Sequence, residues 1–203
     1  MESSVESSRF NSLPTRVAVA VVAIPVILWT AMQGSYFFFT FVALISGASL
    51  YEFYMLAEKK GAYPLKMLGI VGGFIVNGAF IYERLQVEVF SFFASLGIHL
   101  SMFSQLQFLL VSLLIFVLLV LLVELFRQKG SPTLNVATTV AGVLVISLFF
   151  GTLISIRELF PYGFPVAKFF GVSVADDVQR ATISCWGGYT IVSLFTTIWM
   201  CDT

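Results

Sequence analysis

From Phe108 to Val123 the chain carries only Leu, Val, Ile and Phe apart from a single Ser112. As a helix, such a run is apolar on every side and has no polar face to turn toward water. A membrane crossing needs about 20 predominantly apolar residues, so this stretch, extended to Phe126, fits one crossing. The rest of the chain agrees: 59% of its 203 residues are hydrophobic, 11% are charged, and the mean hydropathy is +0.97. A soluble domain carries about 25% charged residues, so too little polar surface is left here to cover a globule. High hydrophobicity also excludes a disordered chain. Eleven Lys and Arg balance eleven Asp and Glu, which gives no basis for nucleic-acid binding. The chain reads as an all-α, multi-pass integral membrane protein.

The apolar pattern predicts six spanning helices in one unit over 1–203, at roughly 17–33, 36–57, 65–81, 108–126, 134–156 and 181–200. Pro14 and Arg16 launch the first, and Glu58-Lys59-Lys60-Gly61 followed by Pro64 closes the second. Glu2 and Glu6 sit where a signal peptide would be basic, and no A-x-A site follows Met32, so the first helix is expected to stay uncleaved. The stretch 87–107 mixes Glu88, Ser91, Ser95, His99, Ser101, Ser104 and Gln105 with Phe and Leu, which suits an interfacial or re-entrant helix better than a span. Between Arg157 and Arg180 a polar-interrupted segment holds Pro161, Gly163, Pro165, Asp176 and Asp177. With six spans, seven Lys and Arg fall on the N-terminal side and four on the other. That bias puts both termini in the cytoplasm. Cys185 and Cys201 lie on one predicted helix about 24 Å apart, too far for a disulfide.

Gly69, Gly73 and Asn77 recur every fourth residue, as do Ser147, Gly151 and Ser155, preceded by Asn135, Thr138, Thr139 and Gly142. Such stripes let helix backbones approach closely. The fourth span, with only Ser112, is expected to face lipid. Among ionisable residues, Glu52 in Ser49-Leu50-Tyr51-Glu52-Phe53-Tyr54 is expected to face another helix and pair with Arg16 as a structural or lipid-headgroup ion pair. Glu124 with Arg127 reads as a snorkelling pair at a helix end. Asp176 and Asp177 read as a solvated loop or helix start, and His99 has no second imidazole or cysteine beside it. Asp202 follows an uncharged, Trp-bearing helix at the cytoplasmic mouth, a place suited to a hard-oxygen ligand of Mg²⁺. One Asp does not complete a metal site, and the sequence looks cut off after it. No Walker loop, Gly-x-Ser-x-Gly or His-Glu-x-x-His is present.

Three motifs in order carry a resemblance: Leu13-Pro14-Thr15-Arg16-Val17, Ser49-Leu50-Tyr51-Glu52-Phe53, and Ile198-Trp199-Met200-Cys201-Asp202-Thr203. Together they resemble the N-terminal part of the phosphatidate cytidylyltransferase (CDP-diacylglycerol synthase) family, with its Thr-Arg opening, embedded Glu and Trp-x-(Ala/Cys)-Asp-(Thr/Ser) element. The resemblance implies a nucleotidyltransferase of phospholipid biosynthesis in a bacterial inner membrane. Phosphatidic acid and CTP are the implied substrates, with Mg²⁺ as cofactor and Asp202 as one metal ligand. The phosphatidate oxygen attacks the α-phosphorus of CTP, and pyrophosphate leaves. In the family the Asp element continues into Gly-Ala-Tyr, a Ser-Pro-Lys-Lys-Thr segment and a Gly-Gly-Asp region with the remaining acidic ligands. The 203 residues alone are therefore expected to be an inactive fragment, with most catalytic residues beyond position 203. The Arg157–Arg180 segment matches nothing in the family pattern. Membrane lipids are implied partners, and a homodimer is left open. Two rivals also stay open: a transport or non-enzymatic membrane protein with Glu52 as an ion or proton residue, and a relative of CTP-dependent polyprenol or phytol kinases.

Overall fold

The computed structural model describes residues 13–96, 103–160 and 177–201, and all regular structure among them is helical. We number the helices α1 (Leu13–Gln33), α2 (Ser35–Lys59), α3 (Lys66–Ala79), α4 (Tyr82–Ser95), α5 (Gln105–Phe126), α6 (Pro132–Gly142), α7 (Leu148–Glu158) and α8 (Asp177–Cys201). A π-helical segment, Val143–Ser147, joins α6 to α7, so that 132–158 forms one continuous rod.

Three of these helices are long and apolar enough to cross a membrane: Tyr36–Lys59, Gln105–Phe126 and Pro132–Glu158. A fourth crossing is reached if α3 and the first part of α4 count as one span bent by 67°. α1 contributes a shorter apolar stretch, Val21–Gln33. The expected third span, 65–81, corresponds to α3 and the bend that follows it. α3 has 14 residues, about 21 Å, which falls short of the roughly 30 Å hydrocarbon layer. It stops because Phe80 and Ile81 turn back onto the carbonyls of Asn77 and Gly78, tightening the last turn.

The 87–107 stretch is likewise not one element. Its first part belongs to α4, and residues 97–102, His99 and Ser101 among them, lie outside the described residues. Its last part opens α5. Ser104 Oγ accepts from the Gln107 N–H at 3.3 Å, and Gln107 Oε1 accepts from the Ser104 N–H at 2.9 Å. This reciprocal cap fixes the first residue of the most apolar helix.

Two apolar cores stack along the bundle. Leu50, Tyr54, Val76, Phe116, Val120 and Val143 form one, from α2, α3, α5 and the π segment. Ala31, Phe38, Val42, Ile81, Ile154 and Ile191 form the other, from α1, α2, α7, α8 and the bend. α2 is the only one of these helices that contributes to both among the described residues.

The small-residue stripes lie at the contacts. A Cβ on Gly69 or Gly142 would strike the Tyr54 ring, one on Gly72 would strike Phe116, and one on Gly73 would meet Leu50 and Ser147. Tyr54 therefore lies in a slot that glycines cut from both sides, and its hydroxyl donates to the Thr139 carbonyl at 2.9 Å. α5 is mostly exposed. Even so, Phe116, Val120 and Glu124, four residues apart, form a buried stripe on it.

Candidate functional site

Charge and hydrogen bonding concentrate at the two ends of the bundle. Asn135 and Arg157 mark these ends on the α6–α7 rod. They are 22 residues apart, about 33 Å, close to the thickness of a hydrocarbon layer.

At one end, α2 runs out at Lys59, the 60–65 loop turns, and α5 hands over to α6. Glu124 is only 3% exposed. Its Oε1 accepts from Asn135 Nδ2 at 2.6 Å, and its Oε2 lies 3.6 Å from Arg127 Nη1. Asn135 Nδ2 also donates to the Lys129 carbonyl at 2.6 Å, and Asn135 Oδ1 accepts from the Tyr63 N–H at 2.7 Å. Arg127 donates to the Tyr63 carbonyl at 2.7 Å. Thr139 Oγ1 accepts from the Leu65 N–H at 2.9 Å and donates to the Asn135 carbonyl at 2.7 Å. Side chains of α6 and of the α5–α6 connection thus satisfy three backbone groups of the 60–65 loop. Buried backbone polar groups require such partners. This corrects the reading of Glu124 and Arg127 as a snorkelling surface pair: the carboxylate is buried and held by an amide. Lys66 and Glu58 pair at 2.7 Å nearby, both partly exposed.

The opposite end is built around Arg157. The expected helix stops at 156, but α7 runs on to Glu158, and Arg157 is 1% exposed. Its Nε donates to the Ala31 carbonyl at 2.8 Å, and Nη2 lies 3.5 Å from the Met32 carbonyl. Those carbonyls belong to the last turn of α1, where no intrahelical donor remains. The guanidinium therefore caps a neighbouring helix. Gly34, with φ 63°, makes the corner into α2, and a Cβ there would collide with the guanidinium as well as strain the backbone. A Cβ on Gly187 of α8 would strike the Arg157 carbonyl. Glu158 pairs with Arg84 at 3.1 Å, while Tyr36 donates to Glu88 at 2.5 Å.

Of the residues singled out in the sequence, Glu124 and Arg127 lie at one end, and Glu52 lies at neither site. Glu52 is exposed, together with Ala48 and Leu56 on its face, and forms no ion pair among the described residues. The face expected to meet another helix turns away from the bundle, and the face with Ser46, Leu50 and Tyr54 packs instead. Arg16 belongs to α1, but its side chain lies outside the described residues, and so do Asp202 and Asp176. Cys185 and Cys201 are free thiols. Among the described residues no three His, Cys, Asp or Glu side chains converge to hold a metal ion. Asp202, the expected Mg²⁺ ligand, lies outside the described residues.

Sequence reasoning missed Asn135 and Arg157. Asn135 was read as one more small residue of a packing stripe. Arg157 was assigned to a loop because it follows the apolar run. The signal available for both was position, a polar side chain about one hydrophobic thickness from another on the same rod. No family model, curated protein or solved structure matches the chain.

Proposed function

We propose that these 203 residues are the membrane part of a phosphatidate cytidylyltransferase, with six crossings and both ends on the cytoplasmic side of a bacterial inner membrane. The observation that carries the reading is the course of α8. It packs against α1 and α7 near Gly187 and Ile191, at the Arg157 end. The fifteen residues from Gly187 to Cys201 then lead about 21 Å toward the opposite end. That end holds Lys59, Lys60, Lys66, Arg127 and Lys129. Phosphatidic acid and CTP are both anionic, and a basic membrane boundary draws such substrates. The same basic excess supports a cytoplasmic orientation for that end. Arg16 and Glu52 keep their proposed role as an ion pair or headgroup contact. Asp202, next after α8, is the proposed metal ligand.

The test uses membranes from cells expressing the protein from its own gene, supplied with labelled phosphatidic acid and CTP. CTP-dependent CDP-diacylglycerol is expected. Asp202→Asn is expected to abolish it while leaving membrane insertion intact, and the 203 residues expressed alone are expected to form none. Wild-type turnover by Asp202→Asn, or no CTP-dependent product from the native gene, overturns the reading.

A further inference from the structure

At the Glu124 end an apolar groove runs between the end of α2 and the start of α6. Its volume is about 340 Å³, and its walls include Phe53, Leu56, Ala57, Ala62 and Leu134. Thr138 also lines it, but its hydroxyl is committed to the Leu134 carbonyl one turn back. Lys60 is the charged residue on the lining. The other cations nearby differ in their surroundings: Lys66 is paired with Glu58, and Arg127 with Glu124 and the Tyr63 carbonyl. Lys60 has no carboxylate partner among the described residues.

From Lys60 to Phe53 the groove wall descends seven residues of helix, about 10 Å into the apolar part of the bundle. The groove is therefore an apolar furrow with an unneutralised ammonium at its mouth, at the level where α2 leaves the apolar layer. We propose that it binds one anionic membrane phospholipid, with the phosphate on Lys60 and an acyl chain along Phe53, Leu56 and Leu134. The long lysine stem lets the ammonium reach the headgroup level while its methylenes cover apolar surface. A zwitterionic lipid would fill the furrow equally well, but its own cation opposes Lys60, so charge decides the preference. The site uses none of Arg16, Glu52 or Asp202, and shares with the enzymatic reading only the basic boundary to which Lys60 belongs.

The experiment is spin-label lipid association with the full 203-residue chain in phosphatidylcholine vesicles, comparing labelled phosphatidylglycerol with labelled phosphatidylcholine. The wild-type chain is expected to retain phosphatidylglycerol about fivefold more strongly, the scale set by one lysine near a membrane surface. Lys60→Ala is expected to remove that preference. Lys59→Ala, an equal change of charge one residue away and off the groove lining, is expected to keep it. Ala57→Phe, which fills the furrow without touching the charge, is expected to remove retention at the site while the chain stays helical by circular dichroism. Equal retention of both lipids by the wild type overturns the proposal. So does an equal loss from Lys59→Ala and Lys60→Ala, which marks diffuse surface attraction. An unchanged preference in Ala57→Phe overturns it as well, and so does a shift of that variant from dimer to monomer, which marks a second copy of the chain in the groove.

Discussion

The two ends of the bundle solve the same problem by different chemistry. At the Arg157 end a buried cation donates to the backbone carbonyls of another helix, and glycines on two other elements are cut away to admit it. At the Glu124 end a buried carboxylate is held by an amide, and that amide and its neighbours donate to and accept from a loop. The first arrangement depends on the shape of one guanidinium. The second is distributed over Glu124, Asn135, Arg127 and Thr139. A shape-dependent clamp tolerates no conservative replacement, whereas a distributed network does.

The largest effect is expected from Arg157→Met, which strips the donors from the end of α1. Leaving buried backbone carbonyls without their donor costs about 1–3 kcal/mol each, read as a fall in unfolding free energy in detergent or bicelles. Arg157→Lys is expected to recover little of it, because an ammonium lacks the planar fork. Full recovery by Lys would break the comparison at its root.

Gly187→Ala comes next. Its new methyl collides with the Arg157 backbone carbonyl rather than with a flexible side-chain tip, and overpacking of that kind costs about 1–3 kcal/mol. A variant as stable as the wild type would mean that α8 is free to withdraw from α7.

At the other end, Glu124→Leu is expected to cost about 2 kcal/mol, because the Asn135 amide loses an acceptor in a buried place. Glu124→Gln retains a carbonyl oxygen for that amide and is expected to cost less than about 1 kcal/mol. The double variant Glu124→Leu/Asn135→Leu is expected to lose less than the sum of the two single losses. Strict additivity in a thermodynamic cycle would show that the two residues do not form one network.

The smallest effect has the opposite sign. Asn77 lies between the two ends, 1% exposed, and neither atom of its side-chain amide has a hydrogen-bond partner among the described residues. Replacing an orphaned buried amide by an apolar side chain of similar volume is neutral or favourable. Asn77→Leu is therefore expected to stabilise the bundle by up to about 1 kcal/mol, measured by the same unfolding. Marked destabilisation would show that the amide has a partner.

Helices and their packing faces were legible because both follow from repetition. The run 108–126 announces a lipid-facing helix, and the four-residue spacing of Gly69, Gly73 and Asn77 announces a close contact. The hydrogen-bonded ends were not legible, for a physical reason. Tyr63 meets Asn135 across 72 residues, and Arg157 meets Ala31 across 126, so no local pattern records either meeting. The break after Ala79 was hidden because Phe80, Ile81 and Tyr82 continue the apolar character while the backbone turns. Glu52 misled in the opposite way. A carboxylate among aromatics on a spanning helix invites a buried partner, yet its side of α2 is the exposed one.

The π segment has a consequence for how this chain can change over time. One residue advances an α-helix by about 100°, and a π segment inserts one residue into the α-helical course. Asn135 lies below Val143–Ser147 and Arg157 above it, so the segment sets the angular phase between the amide at one end and the guanidinium at the other. Deleting a single residue there would let the segment revert to α-helix and keep Arg157 in phase with α1, whereas a deletion in the α-helical parts of the rod would turn Arg157 about a quarter of a revolution away. Within the rod between positions 135 and 157, the π segment is thus the place where the loss of one residue can be absorbed.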